Sequence, residues 1–280
     1  MHAHKHKLAT MSETLLPVVM CFSGLDPSGG AGIQADIESV SSHGCMAAPI
    51  ITAATVQDTN NVMSFLPMPA DLIIEQARAI LEDMPVSIIK IGMVGSAEMA
   101  RAIHSILIDY PEIKVVYDPV FSTENNGSLS TSDLIDNVRE LLLPLTTVLT
   151  PNIFEAHALT PGSDTAAAAA MGLLENKCEY VLLTGTHAKT SDVVHTLYSN
   201  HRELKQFHYE RLPHKYHGSG CTLAASVAAL LAIGHEPISA VHHALDYTHK
   251  TLINGRRIGM GQYHPDRFFW LNNSDKSKAS

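Results

Sequence analysis

A chain of 280 residues with 45% hydrophobic and 17% charged residues can bury a large core, and its length suits one large α/β domain or two small ones. The formal charge of −9, from 19 basic and 28 acidic residues, argues against nucleic acid or an anionic membrane as the main partner, so any phosphate site must be local. No apolar run approaches the roughly 20 residues of a membrane span, no signal-peptide pattern precedes a cleavage site, and the four cysteines lack Cys-x-x-Cys spacing, so reduced thiols and a cytoplasmic location are expected.

Residues 1–10 alternate His2, His4 and His6 with small or basic residues and read as a tag or disordered tail. That leaves one domain over 11–270 and a polar end over 271–280. Leu16 to Phe22 is a continuous apolar run of strand length, followed by helical spacing at Ile33, Ile37 and Val40. Pro49 to Val56 reads as a strand, Asp71 to Met84 as a helix, and Ser87 to Ile91 as a buried strand bounded by Gly92. Helix at Ala97–Ile108, strand at Val115–Tyr117, helix at Asp133–Leu143 and strand at Thr147–Leu149 continue the alternation. Helices at Asn152–Leu159 and Ala166–Glu175 precede a strand at Tyr180–Leu183. Around Asn200-His201-Arg202, His195 to Leu212 alternates polar and apolar residues as an edge hairpin does, and helices at His217–Ile233 and Ile238–Ile253 end the series. Strands apolar on both faces, alternating with helices, predict a mainly parallel sheet covered on either side.

In such sheets ligands sit beyond the carboxyl ends of the strands, so the residues just after each strand carry the argument. Asp26, in the loop Ser23–Gly32, either accepts a hydrogen bond from a substrate or caps its own turn with Ser28. That loop matches neither Gly-x-Gly-x-x-Gly nor a Walker loop. Gln57 offers donor and acceptor together to a nitrogen heterocycle, or is an ordinary loop residue. Met93 lines a flat ring or fills core. Asp118, held before Pro119, helps place Mg²⁺ or a substrate hydroxyl, or makes an Asx turn. Asn152 and Glu155 have the spacing of a capping box, which also aims a carboxylate at the ligand edge, where it can hold water on Mg²⁺ beside ATP phosphates. Thr184-Gly185 ends a strand near where a nucleotide would lie. The run Gly218-Ser219-Gly220-Cys221 opens a small-residue helix, whose free N–H groups and dipole make an anion site. There Cys221 either takes a proton from a substrate hydroxyl, with a thiol pKa lowered toward neutrality, or is a small buried apolar residue.

Taken together, Asp26-Pro-Ser-Gly-Gly-Ala-Gly-Ile-Gln-Ala-Asp36, Thr52-Ala-Ala-Thr-Val-Gln57-Asp-Thr59, Lys90-Ile-Gly-Met93, Asp118-Pro-Val120, Thr150-Pro-Asn-Ile-Phe-Glu155-Ala and His217-Gly-Ser-Gly-Cys-Thr222 resemble the bacterial hydroxymethylpyrimidine/phosphomethylpyrimidine kinases. The resemblance runs from about Val18 to the last helix and implies a ribokinase-like three-layer α/β/α sandwich, typically a homodimer. It implies phosphorylation by ATP and Mg²⁺ of 4-amino-5-hydroxymethyl-2-methylpyrimidine, and then of its monophosphate, for thiamin biosynthesis. It places Asp26, Gln57, Met93 and Val120 around the pyrimidine, Asn152 and Glu155 near Mg·ATP, Gly218 to Gly220 as the anion hole, and Cys221 where related sugar kinases carry a base. Thr184 stands where many members have lysine, with Lys189 or His187 as substitutes, and the loop after Val120 also lacks a lysine; both departures bear on the second phosphorylation. Pyridoxine/pyridoxal kinase is the alternative enzyme, and a non-catalytic pyrimidine-binding protein the alternative from another class. Residues 121–129 and 184–192 are candidate mobile covers.

Overall fold

The computed structural model describes residues 15–121, 131–185 and 191–271. The candidate tag, both candidate covers in large part, and His187 and Lys189 lie outside them. Nine strands form one sheet: β1 (Val18–Leu25), β2 (Met46–Gln57), β3 (Val62–Pro67), β4 (Val86–Ile91), β5 (Lys114–Tyr117), β6 (Val148–Leu149), β7 (Tyr180–Leu183), β8 (Asp192–Ser199) and β9 (Arg202–Glu210). The helices among the described residues are α1 (Gly32–Ser42), α2 (Ala70–Asp83), α3 (Ala97–Asp109), α4 (Ser132–Asn137), α5 (Ile153–Leu159), α6 (Ala166–Glu175), α7 (Ser219–Ala232) and α8 (Pro237–Ile253).

The spatial order is β3-β2-β1-β4-β5-β6-β7-β8-β9. Strands β2, β1, β4, β5, β6 and β7 pair in parallel, whereas β3, β8 and β9 join antiparallel to their inner neighbours. The expected edge hairpin is therefore β8–β9, turning at Asn200 and His201, both with positive φ. Strand β3 was not expected. All six of its residues are exposed or half-buried, and its short apolar run is interrupted by Ser64 and ends at Pro67. The helix expected over Asp133–Leu143 also differs, since α4 gives way to a wide turn at Val138–Leu142 and a tight one at Leu143–Leu145 that carries Pro144.

Alternate residues of β1 explain the three layers. Val18, Met20 and Phe22 enter one core with α2, α3, α5 and α6, while Val19 and Cys21 enter the other with α1, α7 and α8. Both faces are covered, so a parallel strand must be apolar throughout. Lys90 in β4 breaks that rule. On the α1 side of the sheet, between apolar neighbours, its Nζ lies 2.8 Å from Asp36 Oδ1 as an ion pair and donates to Asp36 Oδ2 at 3.0 Å and Ser23 Oγ at 3.1 Å, with both charged side chains 0% exposed. Gly92 makes room for it, because a Cβ there would lie 2.7 Å from Nζ. Burial alone would favour a neutral lysine, but Asp36, with Cys221 and Asp118, holds its pKa above the ordinary range. Removing one partner of a buried pair leaves the other uncompensated. Lys90→Met is thus expected to cost about 3–5 kcal/mol of stability, and Lys90→Met with Asp36→Leu much less, as read from urea unfolding midpoints.

Candidate active site

The carboxyl ends of the parallel strands share one edge of the sheet, and the chain order reverses between β1 and β4. At that edge lies a cavity of about 580 Å³, a volume suited to a small-molecule ligand. It is lined by Asp26, Gln57, Met93, Asp118, Val120, Asn152, Glu155, Thr184 and the run Gly218–Cys221. Of the described site residues singled out from the sequence, only Gly185 stays outside this lining. Its Cα packs on β8 so closely that a Cβ would run into the Val194 carbonyl.

One end of the cavity is apolar: its lining residues Val62, Met93 and Val120 pack with Ala53 and Phe65 in a cluster separate from the two main cores. Asp26, 3% exposed, closes this end. Its Oδ1 accepts from Ser28 N at 2.8 Å, and its Oδ2 from Ala31 N and His217 Nε2, both at 2.8 Å. Burial would raise the Asp26 pKa, but the bonds from His217 and from the loop N–H groups more than offset it and hold it at about 2. The carboxylate therefore caps its own turn as well as facing the cavity, and it ties that turn to the segment before α7.

The middle of the cavity holds the charged groups. Gly218 begins α7 in the left-handed region at φ 84°, and the first-turn N–H groups that follow have no acceptor within the helix. Asp118 sits opposite. A Cβ on Gly220 would stand 3.6 Å from its Oδ2, and the Cys221 thiol and Thr150 hydroxyl beside the carboxylate act to lower its pKa. Burial, relieved in part by Lys90, lifts Asp118 to about 6. Glu155, 7% exposed, is pushed to about 8, by burial first and then by Asp118.

The capping box at α5 is formed: Asn152 Oδ1 accepts from Phe154 N at 2.9 Å and Glu155 N at 3.0 Å, and Glu155 Oε2 accepts from Asn152 N at 2.8 Å. Capping thus fixes Glu155 without removing it from the cavity. Because the folded state holds its proton more tightly than the unfolded chain, the stability contributed by protonated Glu155 is lost as pH rises from the usual carboxylate range through about 8. In metal-free protein, Glu155→Gln should raise Tm at pH 8.5 by about 2–4 °C for each kcal/mol relieved and hardly change it at pH 5. A difference independent of pH would contradict this.

The Cys221 thiol does not have the lowered pKa expected of a helix start. Burial pushes it up to about 12; Lys90 acts downward, Asp118 and Asp36 upward, and a bond from the Gly32 N–H downward again. The helix start is real, but desolvation and two carboxylates outweigh it.

The far end was not anticipated from single residues. Val193, Leu223, Leu245 and Leu252 line an apolar lobe in which Tyr209 lies 5.0 Å from the His249 ring and 6.0 Å from His195. His195 Nδ1 and Thr248 Oγ1 are buried there without a hydrogen-bond partner. Thr184, which bonds Pro151 O through its N–H at 2.9 Å, marks the junction between this lobe and the charged middle.

An anion cradle at the start of α7, facing buried carboxylates beyond the ends of a covered parallel sheet, defines the ribokinase-like α/β proteins. The solved ADP complex of Bacillus subtilis pyridoxal kinase has the same fold, with a TM-score of 0.82 and 27% identity over 90% of this chain and 98% of that one. In sequence, the chain is 35% identical to the chloroplast thiamine biosynthetic bifunctional enzyme of Arabidopsis thaliana over 96% of its length, of which it spans about half (53%). It is 34% identical to the hydroxymethylpyrimidine/phosphomethylpyrimidine kinase of Haemophilus influenzae, with 87% of this chain and 93% of that protein covered. The chain belongs to the phosphomethylpyrimidine kinase family, whose model matches residues 26–266.

Proposed function

We propose that the protein transfers the γ-phosphoryl group of ATP to 4-amino-5-hydroxymethyl-2-methylpyrimidine and then to its monophosphate, serving thiamin biosynthesis in the cytoplasm. The observation that carries this reading is the meeting of the Gly218–Cys221 turn with Asp118 in one cavity, between an apolar ring-sized end and an apolar base-sized end. The pyrimidine lies against Met93 and Val120, with Gln57 at its polar edge and Asp26 holding the loop that closes over it. The nucleobase fills the lobe around Tyr209 and His249, where the unpartnered atoms of His195 and Thr248 await a polar ring. The phosphates run past Thr184 and Asn152 to the N–H groups of Ser219, Gly220 and Cys221.

Cys221 and Asp118 act as one proton-accepting unit. As the substrate hydroxyl gives its proton to Sγ, the thiol would pass its own hydrogen to the neighbouring Asp118 carboxylate. The N–H groups of the first turn of α7 face the charge that develops on the transferred group.

Asp118 and Glu155 would hold Mg²⁺. They are two buried carboxylates, and Asp118 adds to the burial that raises the Glu155 pKa; no group of three or more metal-binding side chains occurs among the described residues. That donor set fits an ion that keeps its waters and binds through one or two carboxylates plus phosphate. Bound there, the ion would neutralise phosphate charge.

A homodimer accords with exposed Val56, Met63 and Leu66 on the β2–β3 edge, and sedimentation velocity reads it directly. No helix among the described residues is long and apolar enough to cross a membrane. The second reading, pyridoxal kinase, is favoured by the likeness to the Bacillus subtilis enzyme. Turnover with products resolved by mass, on the hydroxymethylpyrimidine, its monophosphate and pyridoxal in parallel, separates the two. Both pyrimidine phosphorylations are expected, the second more slowly because Thr184 replaces a lysine. Preference for pyridoxal would move the assignment, and binding without turnover would overturn it.

A further inference from the structure

The chain beyond α8, which shows no periodicity, returns across the mouth of the cavity and joins three of its walls. Gly261 N donates to Thr59 Oγ1 at 3.0 Å and Gln262 N to Thr59 O at 2.9 Å, just past Gln57. Tyr263 N donates to Lys215 O, and His217 N to Tyr263 O, both at 2.9 Å, just before the anion turn. Arg267, one residue beyond the stretch matched by the family model and 2% exposed, reaches the third wall. Its guanidinium donates to Gly30 O, to Glu38 Oε2 at 2.9 Å and to Thr222 Oγ1 at 2.9 Å.

Both of the first and last contacts converge on Gly218. Thr222 Oγ1, with one lone pair taken by Arg267, donates its hydrogen to Gly218 O at 2.8 Å, beside the Thr222 N–H bond to the same oxygen at 2.9 Å. The Gly30 carbonyl, held by the same guanidinium, packs directly on Gly218, where a Cβ would run into its oxygen. A trans peptide unit is planar, with N–H opposed to C=O. Fixing Gly218 O toward the helix therefore turns the Ser219 N–H, on the same unit, outward into the cavity.

We infer that Arg267 is a positioning residue for the anion hole, acting through the Thr222 hydroxyl and the Gly30 carbonyl to aim the Ser219 N–H at a transferred phosphoryl group. This rests on the kinase reading for its catalytic consequence, but its anion-binding consequence stands alone. Small displacements of positioned donors cost rate steeply, so the hydroxyl relay should weigh on kcat more than on KM.

The test compares Thr222→Val, Thr222→Ser and Arg267→Lys with wild type, measuring pyrophosphate binding by calorimetry and, in the same preparations, kcat, KM for the pyrimidine and Tm. Thr222→Val keeps Arg267 paired to Gly30 and Glu38 and is isosteric, so it should fold. It is expected to bind pyrophosphate about tenfold more weakly and to lose about tenfold in kcat at unchanged KM. Thr222→Ser restores the hydroxyl and should recover both. Arg267→Lys keeps the charge but not the fork, and should resemble Thr222→Val. Equal pyrophosphate affinity in Thr222→Val and wild type, or a loss that Thr222→Ser does not recover, overturns the inference. Absence of turnover throughout would sink the kinase reading while the pyrophosphate comparison still decides this one.

Discussion

Gly218→Ala is expected to reduce kcat by about 10²–10³-fold, the loss seen when a single oxyanion-hole donor is removed, together with a lowered Tm. Two independent constraints meet at this residue. Its φ of 84° lies in the left-handed region, which disfavours a side chain by about 1–2 kcal/mol, and the added methyl would run into the Gly30 carbonyl oxygen. Relief requires the turn to move away from the β1–α1 loop, taking the N–H groups with it. Gly220→Ala is the informative control. There a Cβ meets only the Asp118 carboxylate at ordinary contact distances of 3.6 and 3.7 Å, and the residue is already inside α7, so fold and Tm should be little affected. Steady-state kinetics and thermal unfolding on the two variants check the contrast. Equal losses would mean that crowding of the turn, rather than its left-handed geometry, controls the site.

Cys221→Ala should lower kcat by about 10²–10⁴-fold, the usual contribution of a positioned proton acceptor, with little change in KM for the pyrimidine. Residual turnover is expected because the first-turn N–H groups and Asp118 remain. The raised thiol pKa adds a second observable. At about 12, almost no thiolate exists in the free protein at pH 8, so Cys221 should react with iodoacetamide far more slowly than a free cysteine of pKa about 8.5, and its reactivity should keep rising well above pH 9. Fast alkylation near neutrality would show that the thiolate is preformed and would remove the shared-proton role of Asp118. A Cys221→Ala variant with wild-type kcat would leave the sulfur as packing.

The inner strands were legible because a parallel strand covered on both faces must be continuously apolar, as Val18 to Phe22 and Tyr180 to Leu183 are. The residues at their ends were legible because loop chemistry follows strand ends in chain order. What escaped depends on neighbours distant in sequence. Lys90 stands out in an apolar strand, yet its meaning comes from Asp36, 54 positions away. The helix start alone points to a lowered Cys221 pKa, but burial first, and then the Asp118 and Asp36 carboxylates brought in from the end of β5 and from α1, reverse the direction of the effect. Strand β3 is only six residues long, interrupted by Ser64 and ended by Pro67, and Gly185 carries no signal of its close packing on β8. The sequence allows Asp26 two roles, and the geometry forms the capped turn while keeping the carboxylate at the cavity wall.

The bond from Arg267 to Gly30 spans 237 positions, which sets an order of events during synthesis. The sheet from β1 to β9 and both helix layers can assemble as soon as α8 has left the ribosome, since domains fold as units during translation. The nascent chain then has its core but not its final anion turn, because the segment that joins residues 30, 59 and 215 has yet to emerge. Completion of the anion turn therefore waits for residues 256–267, and a variant that ends just after α8 is expected to keep its core and lose pyrophosphate binding.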